Sequence, residues 1–291
     1  MKKRLLKLVS FLLISILLFG LATPLASAYG PGDPWGPPYG PGDPYGPGPG
    51  GTPGWERAGS WQLHGNQWYY RFTNGEWATG WQRLGGAWYF FNYQGGAMAT
   101  GWRQVDGAWY FFYNSGAMAT GWIAVQGVWY FLRPSGAMAT GWVNTDGSTY
   151  LLRANGSMAT GWQQVGGVWY YFHPSGRMAT GWVNHNGVWY FMHGGGGMAT
   201  GWINSGGSWY YMRSNGSMAT GWQQISNQWY YFYGSGRMAT GWLQLGSNTY
   251  FLWSNGTMAT GTVNIGGVNH QFRADGTWIG RYVTPGPPGP P

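Results

Sequence analysis

The sequence predicts an all-β fold, a solenoid of stacked β-hairpins, and three observations lead there. Gly-Trp pairs stand at Gly80-Trp81, Gly101-Trp102, Gly121-Trp122 and onward to Gly241-Trp242, with one step of 21 residues and a period of 20 thereafter. A fixed period in this range marks a repeat architecture. The 291 residues include 55 Gly and 20% aromatics but only 8% charged residues, against about 7% Gly and about 25% charged residues in ordinary soluble domains. That mixture favours short strands joined by tight turns over helices. Third, each unit reads as a strand, a turn and a short return.

One unit, residues 101–121, is "GWRQVDGAWYFFYNSGAMATG". Its "AWYFF" run is a strand by aromatic content, "NSG" offers a turn with a Gly able to take positive φ, and "AMAT" is expected to return as a second, shorter strand. The next "GW" then bends the chain into the following unit. An isolated hairpin is marginal in water, so eleven in series are expected to bury a common face by stacking. The unit starting at Gly261 replaces the expected Trp residues by Thr262 and Asn269. Atypical terminal repeats act as caps, which makes 261–283 the expected cap of an array spanning 55–283.

The flanks read differently. Residues 1–28 carry a basic start (Lys2, Lys3, Arg4, Lys7), an apolar run and Ala26-Ser27-Ala28, the layout of a cleaved secretory signal peptide. Residues 29–54 contain the decapeptides "YGPGDPWGPP" and "YGPGDPYGPG" and read as an extended linker; 284–291 read as a Pro/Gly tail. There is no Cys, so disulfides are excluded. A secreted chain without disulfides fits the outside of a Gram-positive cell.

Charge and titratable groups narrow the function. Four of the fifteen basic residues lie in the leader, leaving eleven Arg against seven acids, a balance of +4 without Lys. The Arg residues are scattered, so the clustered footprint of nucleic-acid binding is absent. His64, His173, His185, His193 and His270 supply no metal-ligand or triad spacing, and the two glutamates, Glu56 and Glu76, are not paired as acid and base. A non-catalytic protein without metal or cofactor is expected.

The second Trp of each unit follows the first by seven residues, giving Trp61/Trp68, Trp81/Trp88, Trp102/Trp109, Trp122/Trp129, Trp162/Trp169, Trp182/Trp189, Trp202/Trp209 and Trp222/Trp229. Along a strand Trp88 and Phe90 face one way, Tyr89 and Phe91 the other. A core needs apolar volume, which Val, Leu and Ile supply; indole at two fixed points of nearly every unit points to a use for ring faces.

The pattern "GWxxxxGxWYYFxxSGxMATGW" resembles the choline-binding, or cell-wall-binding, repeat of secreted Gram-positive and phage cell-wall proteins. The resemblance spans nearly the whole array and implies a left-handed solenoid of hairpins with ligands in aromatic cages between them, often closed by a Met. It implies a cage of Trp102, Trp109, an aromatic of the next repeat (Trp122 or Tyr130) and Met118. The candidate ligand residues are therefore the paired Trp residues, with Trp142 and Trp242, the tyrosines Tyr110, Tyr130, Tyr170, Tyr190, Tyr210 and Tyr230, and Met98 and Met118. Thr149 and Thr249 replace the second Trp and are expected to damage two cages; Trp77 stands in the Met position of the first repeat.

A trimethylammonium group cannot donate a hydrogen bond, whereas ring faces offer both quadrupole attraction and apolar surface. At about 1–1.5 kcal/mol per ring, three rings give about 3–4.5 kcal/mol, millimolar affinity for free choline. Many cages on one choline-bearing polymer then gain avidity. The expected partners are choline residues of teichoic or lipoteichoic acid at the cell wall. A glucan or other polysaccharide stacked on Trp is the alternative ligand, with Gln163-Gln164, Gln223-Gln224, Asn184 and Asn204 as polar neighbours; a surface adhesin or coat is compatible with either.

Overall fold

The computed structural model describes residues 57–282. The expected signal peptide, linker and tail, with Trp55 and Val283, lie outside the described residues.

Twenty-three strands and no helix occupy the described residues, arranged as eleven antiparallel sheets, ten of two strands and a last one of three. The hairpin of the 101–121 unit pairs Gly101–Val105 with Ala108–Phe112, setting Trp102 opposite Phe111 and Gln104 opposite Trp109. Its turn is Asp106-Gly107, with φ of 48° and 81°. Two consecutive left-handed residues make the type I′ turn, whose twist matches that of the flanking strands. Asn186-Gly187 serves the hairpin of the 181–200 unit in the same way.

This moves the hairpin from where the sequence analysis placed it. "GWRQV" is the first strand and "AWYFF" the second, while "AMAT" forms no strand and pairs only through an isolated bridge, Phe112 to Met118. The Asp-Gly step between two alternating runs is a stronger hairpin signal than the Asn-Ser-Gly step beyond them. "NSG" still turns the chain: Gly116 N–H donates to the Tyr113 carbonyl at 2.8 Å.

The core runs as a column through the stack. The last residue of each second strand is fully buried (Phe112, Leu132, Leu152, Phe172, Met192, Met212, Phe232, Leu252), as are the alanines of "MAT", such as Ala139, Ala159 and Ala199. Burying one such large side chain contributes about 1.5–3 kcal/mol. Ala at this position leaves room for the neighbouring strand end, which is why the motif spells Ala rather than a larger apolar residue. Successive units are tied by backbone: Met138 N–H donates to the Trp109 carbonyl at 2.7 Å, and Met218 N–H to that of Trp189 at 2.8 Å. The Met of each unit thus fixes the register of the hairpin before it.

Candidate functional site: aromatic grooves between hairpins

Strand alternation decides which rings can meet. In the 101–112 hairpin Trp102, Gln104, Trp109 and Phe111 share one face, and Val105, Tyr110 and Phe112 share the other. Each hairpin turns its Trp face toward the Tyr face of the next. Trp102 packs edge-on against Phe111 of its own hairpin at 5.2 Å and Tyr130 of the next at 4.8 Å. The same relation joins Trp81 to Tyr110, Trp142 to Tyr170, Trp162 to Tyr190, Trp182 to Tyr210 and Trp202 to Tyr230, at 4.7–4.9 Å. Edge-to-face contacts of this kind add about 0.5–1.5 kcal/mol beyond area burial.

The two Trp residues of a unit differ in burial. The first is part of the packing: Trp102 is half-buried against a cluster of Ala119, Ile123 and Leu132. The second stands open in every unit that has one except at Trp88, with Trp109 43% and Trp209 48% exposed. In six of the eight units that carry both they meet nearly at right angles, as Trp182 and Trp189 do at 6.3 Å and 84° and Trp202 and Trp209 at 6.4 Å and 84°. Trp61/Trp68, Trp81/Trp88, Trp162/Trp169 and Trp222/Trp229 repeat this corner at 6.4–6.5 Å.

Tyr and Met complete the corner into a cavity. Trp182, Trp189, Tyr210 and Met218, with Gly234 and Ser235, line about 280 Å³. Trp202, Trp209, Tyr230 and Met238, with Ser254 and Asn255, line about 380 Å³. No charged side chain lines either cavity. Tyr110, whose phenol is pushed up by burial and by the charge of Asp106, stays neutral at physiological pH. Among the described residues no three His, Asp or Glu side chains gather as a metal site.

At Trp102 one of the two expected rings is present and the expected methionine is corrected. The ring that reaches it is Tyr130 rather than Trp122, because Trp122 lies on the opposite face of its hairpin. The methionine that packs there is Met138, while Met118 joins Trp81 and Tyr110 and Met98 joins Tyr89. A methionine held to the preceding hairpin by its N–H closes that hairpin's groove, one unit later than the linear order suggests.

Tyr89, Tyr150 and Tyr250 occupy the same place against Trp61, Trp122 and Trp222, at 4.7–5.1 Å. They lie outside the candidate residues of the sequence analysis, though the position of each within its unit marks it. Trp129 and the remaining exposed indoles, including Trp68, Trp169, Trp189 and Trp229, follow the same pattern as Trp109.

The units without a second Trp are re-lined. Thr149 Oγ1 donates to Asn144 Oδ1 at 2.7 Å, and Thr249 Oγ1 to Gln244 Oε1 at 2.8 Å. Without the covering indole, Trp142 is 41% and Trp242 45% exposed. At the final groove His270 takes the tyrosine position and Trp278 the methionine position, with the Trp278 indole N–H donating to His270 Nδ1 at 3.2 Å. His173 and His193 share one repeat position and meet Tyr171 and Phe191 edge-on.

The choline-binding repeat model matches residues 99–140, 159–200, 199–238 and 219–262, and a cell wall binding repeat model matches 59–76, 79–98 and 140–158. No curated protein matches in sequence. Among solved structures, CbpJ of Streptococcus pneumoniae is 29% identical, with 76% of this chain and 100% of that one covered and a TM-score of 0.55. Choline binding protein F of Streptococcus pneumoniae is 29% identical over 78% of this chain and 99% of its own, with a TM-score of 0.54. The same protein in complex with ipratropium is 29% identical over 76% and 98%, with a TM-score of 0.51. The two repeat models leave only residues 77 and 78 unmatched between 59 and 262, and the stacked hairpins are those of these streptococcal proteins: the chain belongs to the choline-binding repeat family.

Proposed function

We propose that this protein is a non-catalytic, secreted cell-wall-binding module that holds choline groups of teichoic or lipoteichoic acid in the aromatic grooves between its hairpins. The observation that carries this reading is the recurring cavity of two perpendicular Trp rings, one Tyr and one Met with no carboxylate in its lining. A metal ion would find no carboxylate or imidazole there, a phosphate no cation, and a primary ammonium only the neutral oxygens of Ser and Asn. A trimethylammonium group needs none of these and gains from every ring face. The likeness to choline binding protein F, which has been solved with ipratropium, supports the same ligand chemistry.

Each groove gives about millimolar affinity, so function resides in number. A polymer bearing many choline groups engages several grooves at once and is held far more tightly than its monomer. The partner is thus a wall polymer at the cell surface, and the protein needs no anchor in the membrane. The test is retention on a tertiary-amine resin followed by competition. Elution by choline and not by soluble dextran is expected; elution by dextran alone would replace choline with a glucan.

A further inference from the structure

The N-terminal end of the array carries half a groove. Elsewhere the tyrosine of a hairpin is covered by the first Trp of the hairpin before it, as Tyr110 is by Trp81. The first hairpin presents Tyr69 at that position, with His64 and Arg71 on the same face, and no hairpin precedes it among the described residues. Trp77 takes the methionine position, bridging Arg71 as Met118 bridges Phe112. His64, Tyr69, Trp77, Thr79, Gly95 and Gly96 line a concavity of about 430 Å³. It has the tyrosine and the methionine-position side chain of a groove but no Trp pair.

The three rings brace one another edge-on. Their centroids are 5.4 Å apart for His64 and Tyr69, 5.6 Å for His64 and Trp77, and 5.8 Å for Tyr69 and Trp77. Even so, Trp77 is 42% exposed. Methionine holds this position from Met98 through Met258, so the indole adds ring face at the end where no Trp arrives from a neighbour. Arg71 lies over the same indole at 5.5 Å and puts a cation beside it.

The chain itself leads there. Arg57 donates to Glu76 Oε2 at 2.6 Å and packs over Phe72 at 3.9 Å, so the preceding segment enters beside the residue next to Trp77. Residues 39–54, "YGPGDPYGPGPGGTPG", hold five Pro, two Tyr and a single acid, Asp43. Proline presets the extended polyproline conformation, which aromatic-lined grooves recognise at little ordering cost. Tyr45 lies twelve residues from Arg57, a reach of about 37 Å as polyproline. Gly50-Gly51 permits a reversal on the way, and closing so short a loop costs little further entropy.

We propose that Asp43-Pro44-Tyr45-Gly46-Pro47 of this same chain docks in the concavity of His64, Tyr69 and Trp77, its proline and tyrosine rings taking the place of the missing Trp pair and Asp43 meeting Arg71. The segment thereby shields the N-terminal end of the array. This goes beyond the choline reading and does not depend on it.

The test is paramagnetic relaxation in the full chain carrying Gly42→Cys. The chain has no other Cys, so a nitroxide attaches there alone. The amides of Thr79, Gly95 and Gly96 are expected to lose most of their signal, while amides beyond residue 140 keep theirs. Trp77→Met installs the residue of the later units without disturbing the fold and should restore the lost signals. Pro44→Ala/Tyr45→Ala/Pro47→Ala should restore them too. In a mixed sample, with the nitroxide on one chain and the isotope label on another, no loss is expected; loss there would overturn the proposal in favour of a second copy. Loss that survives both variants would overturn it as well, since the tether alone would then keep the label nearby. No loss in the unaltered segment would leave the concavity to another partner. Choline titration of the same samples reads the groove function separately, so a chain that fails to bind choline can still show the docked segment.

Discussion

The thioether of Met218 fills the space that a side chain on Gly236 would need. Gly236 has φ of +81°, and a Cβ on it would lie inside the contact radius of Met218 Sδ. The pair recurs one unit on as Met238 and Gly256. Backbone conformation and packing thus demand glycine at the same place, and the demand links the turn glycine of one unit to the "MAT" segment of the unit before it.

Gly236→Ala should therefore destabilise through two separable effects. The left-handed conformation costs an L-residue about 1–2 kcal/mol, and displacing Met218 adds to it. Thermal unfolding of Gly236→Ala, Met218→Ala and the double variant checks this. The double variant should recover the steric part but keep the backbone part, giving a coupling of about 0.5–3 kcal/mol. Additive losses would mean the thioether has room to move aside.

The two Trp residues of a unit should separate under substitution. Trp109 is exposed, so Trp109→Ala should remove one choline equivalent and cost less than about 1 kcal/mol of stability. Trp102 also packs on Phe111, Tyr130 and the Leu132 cluster, so Trp102→Ala should remove a site and cost about 2–3 kcal/mol as well. Choline titration beside thermal unfolding distinguishes them. Equal stability losses would contradict the division into wall and support.

Thr149→Trp should create a groove. Its cross-strand neighbour is Asn144, and Asn184 opposite Trp189 and Asn204 opposite Trp209 show that asparagine is accommodated beside the indole. Trp142 and Tyr170 already stand at 4.9 Å. The variant should bind one more choline equivalent than the unaltered chain in equilibrium dialysis; unchanged stoichiometry would show that bulk does not fit there.

The period and the indole positions were legible because nearly every unit restates them. The hairpin turn was misplaced because its residues vary, from Asp106-Gly107 to Gly206-Gly207 and Ser226-Asn227, while the more regular "GxMAT" marks a different joint. The partners of Trp102 were half legible. Alternation puts Tyr130 on the facing surface, but nothing in linear order says that Met138 reaches back to the carbonyl of Trp109. That contact belongs to stacking, which a periodic sequence leaves undetermined by whole units.

The last turn carries an acid-sensitive bond. Asp275 accepts from the Thr277 hydroxyl at 2.6 Å and from its N–H at 2.9 Å, and these bonds hold its carboxyl below the usual range. Ionised Asp275 therefore favours the folded cap above the unfolded aspartate pKa of about 3.9, and the contribution is lost as pH falls through the lower folded value. Asn155 makes the same bonds to Ser157 without a charge. Asp275→Asn should flatten the acid limb of a melting-temperature profile, and an unaltered limb would place the sensitivity elsewhere.

Truncation after Thr260 tests the terminal hairpin as a cap. The outward face of that hairpin presents Thr262 opposite Gln271 and Asn264 opposite Asn269, a polar surface where every earlier unit presents a Trp. Its inner face covers Trp242 with His270 at 5.1 Å, Trp278 at 5.6 Å and Phe272 at 5.9 Å. Removing it should uncover Trp242 and Phe251 together, an apolar patch that promotes association. A chain truncated after Thr240 should lose one more unit of stability but no further solubility, because it too ends on a Trp face. Light scattering and thermal unfolding separate the two losses. Trp242→Thr with Phe251→Gln in the chain ending at Thr260 should restore solubility by rebuilding the polar face, although it restores none of the buried contacts. A truncated chain that stays monodisperse without those substitutions would show that the last unit contributes only stacking, as any other unit does.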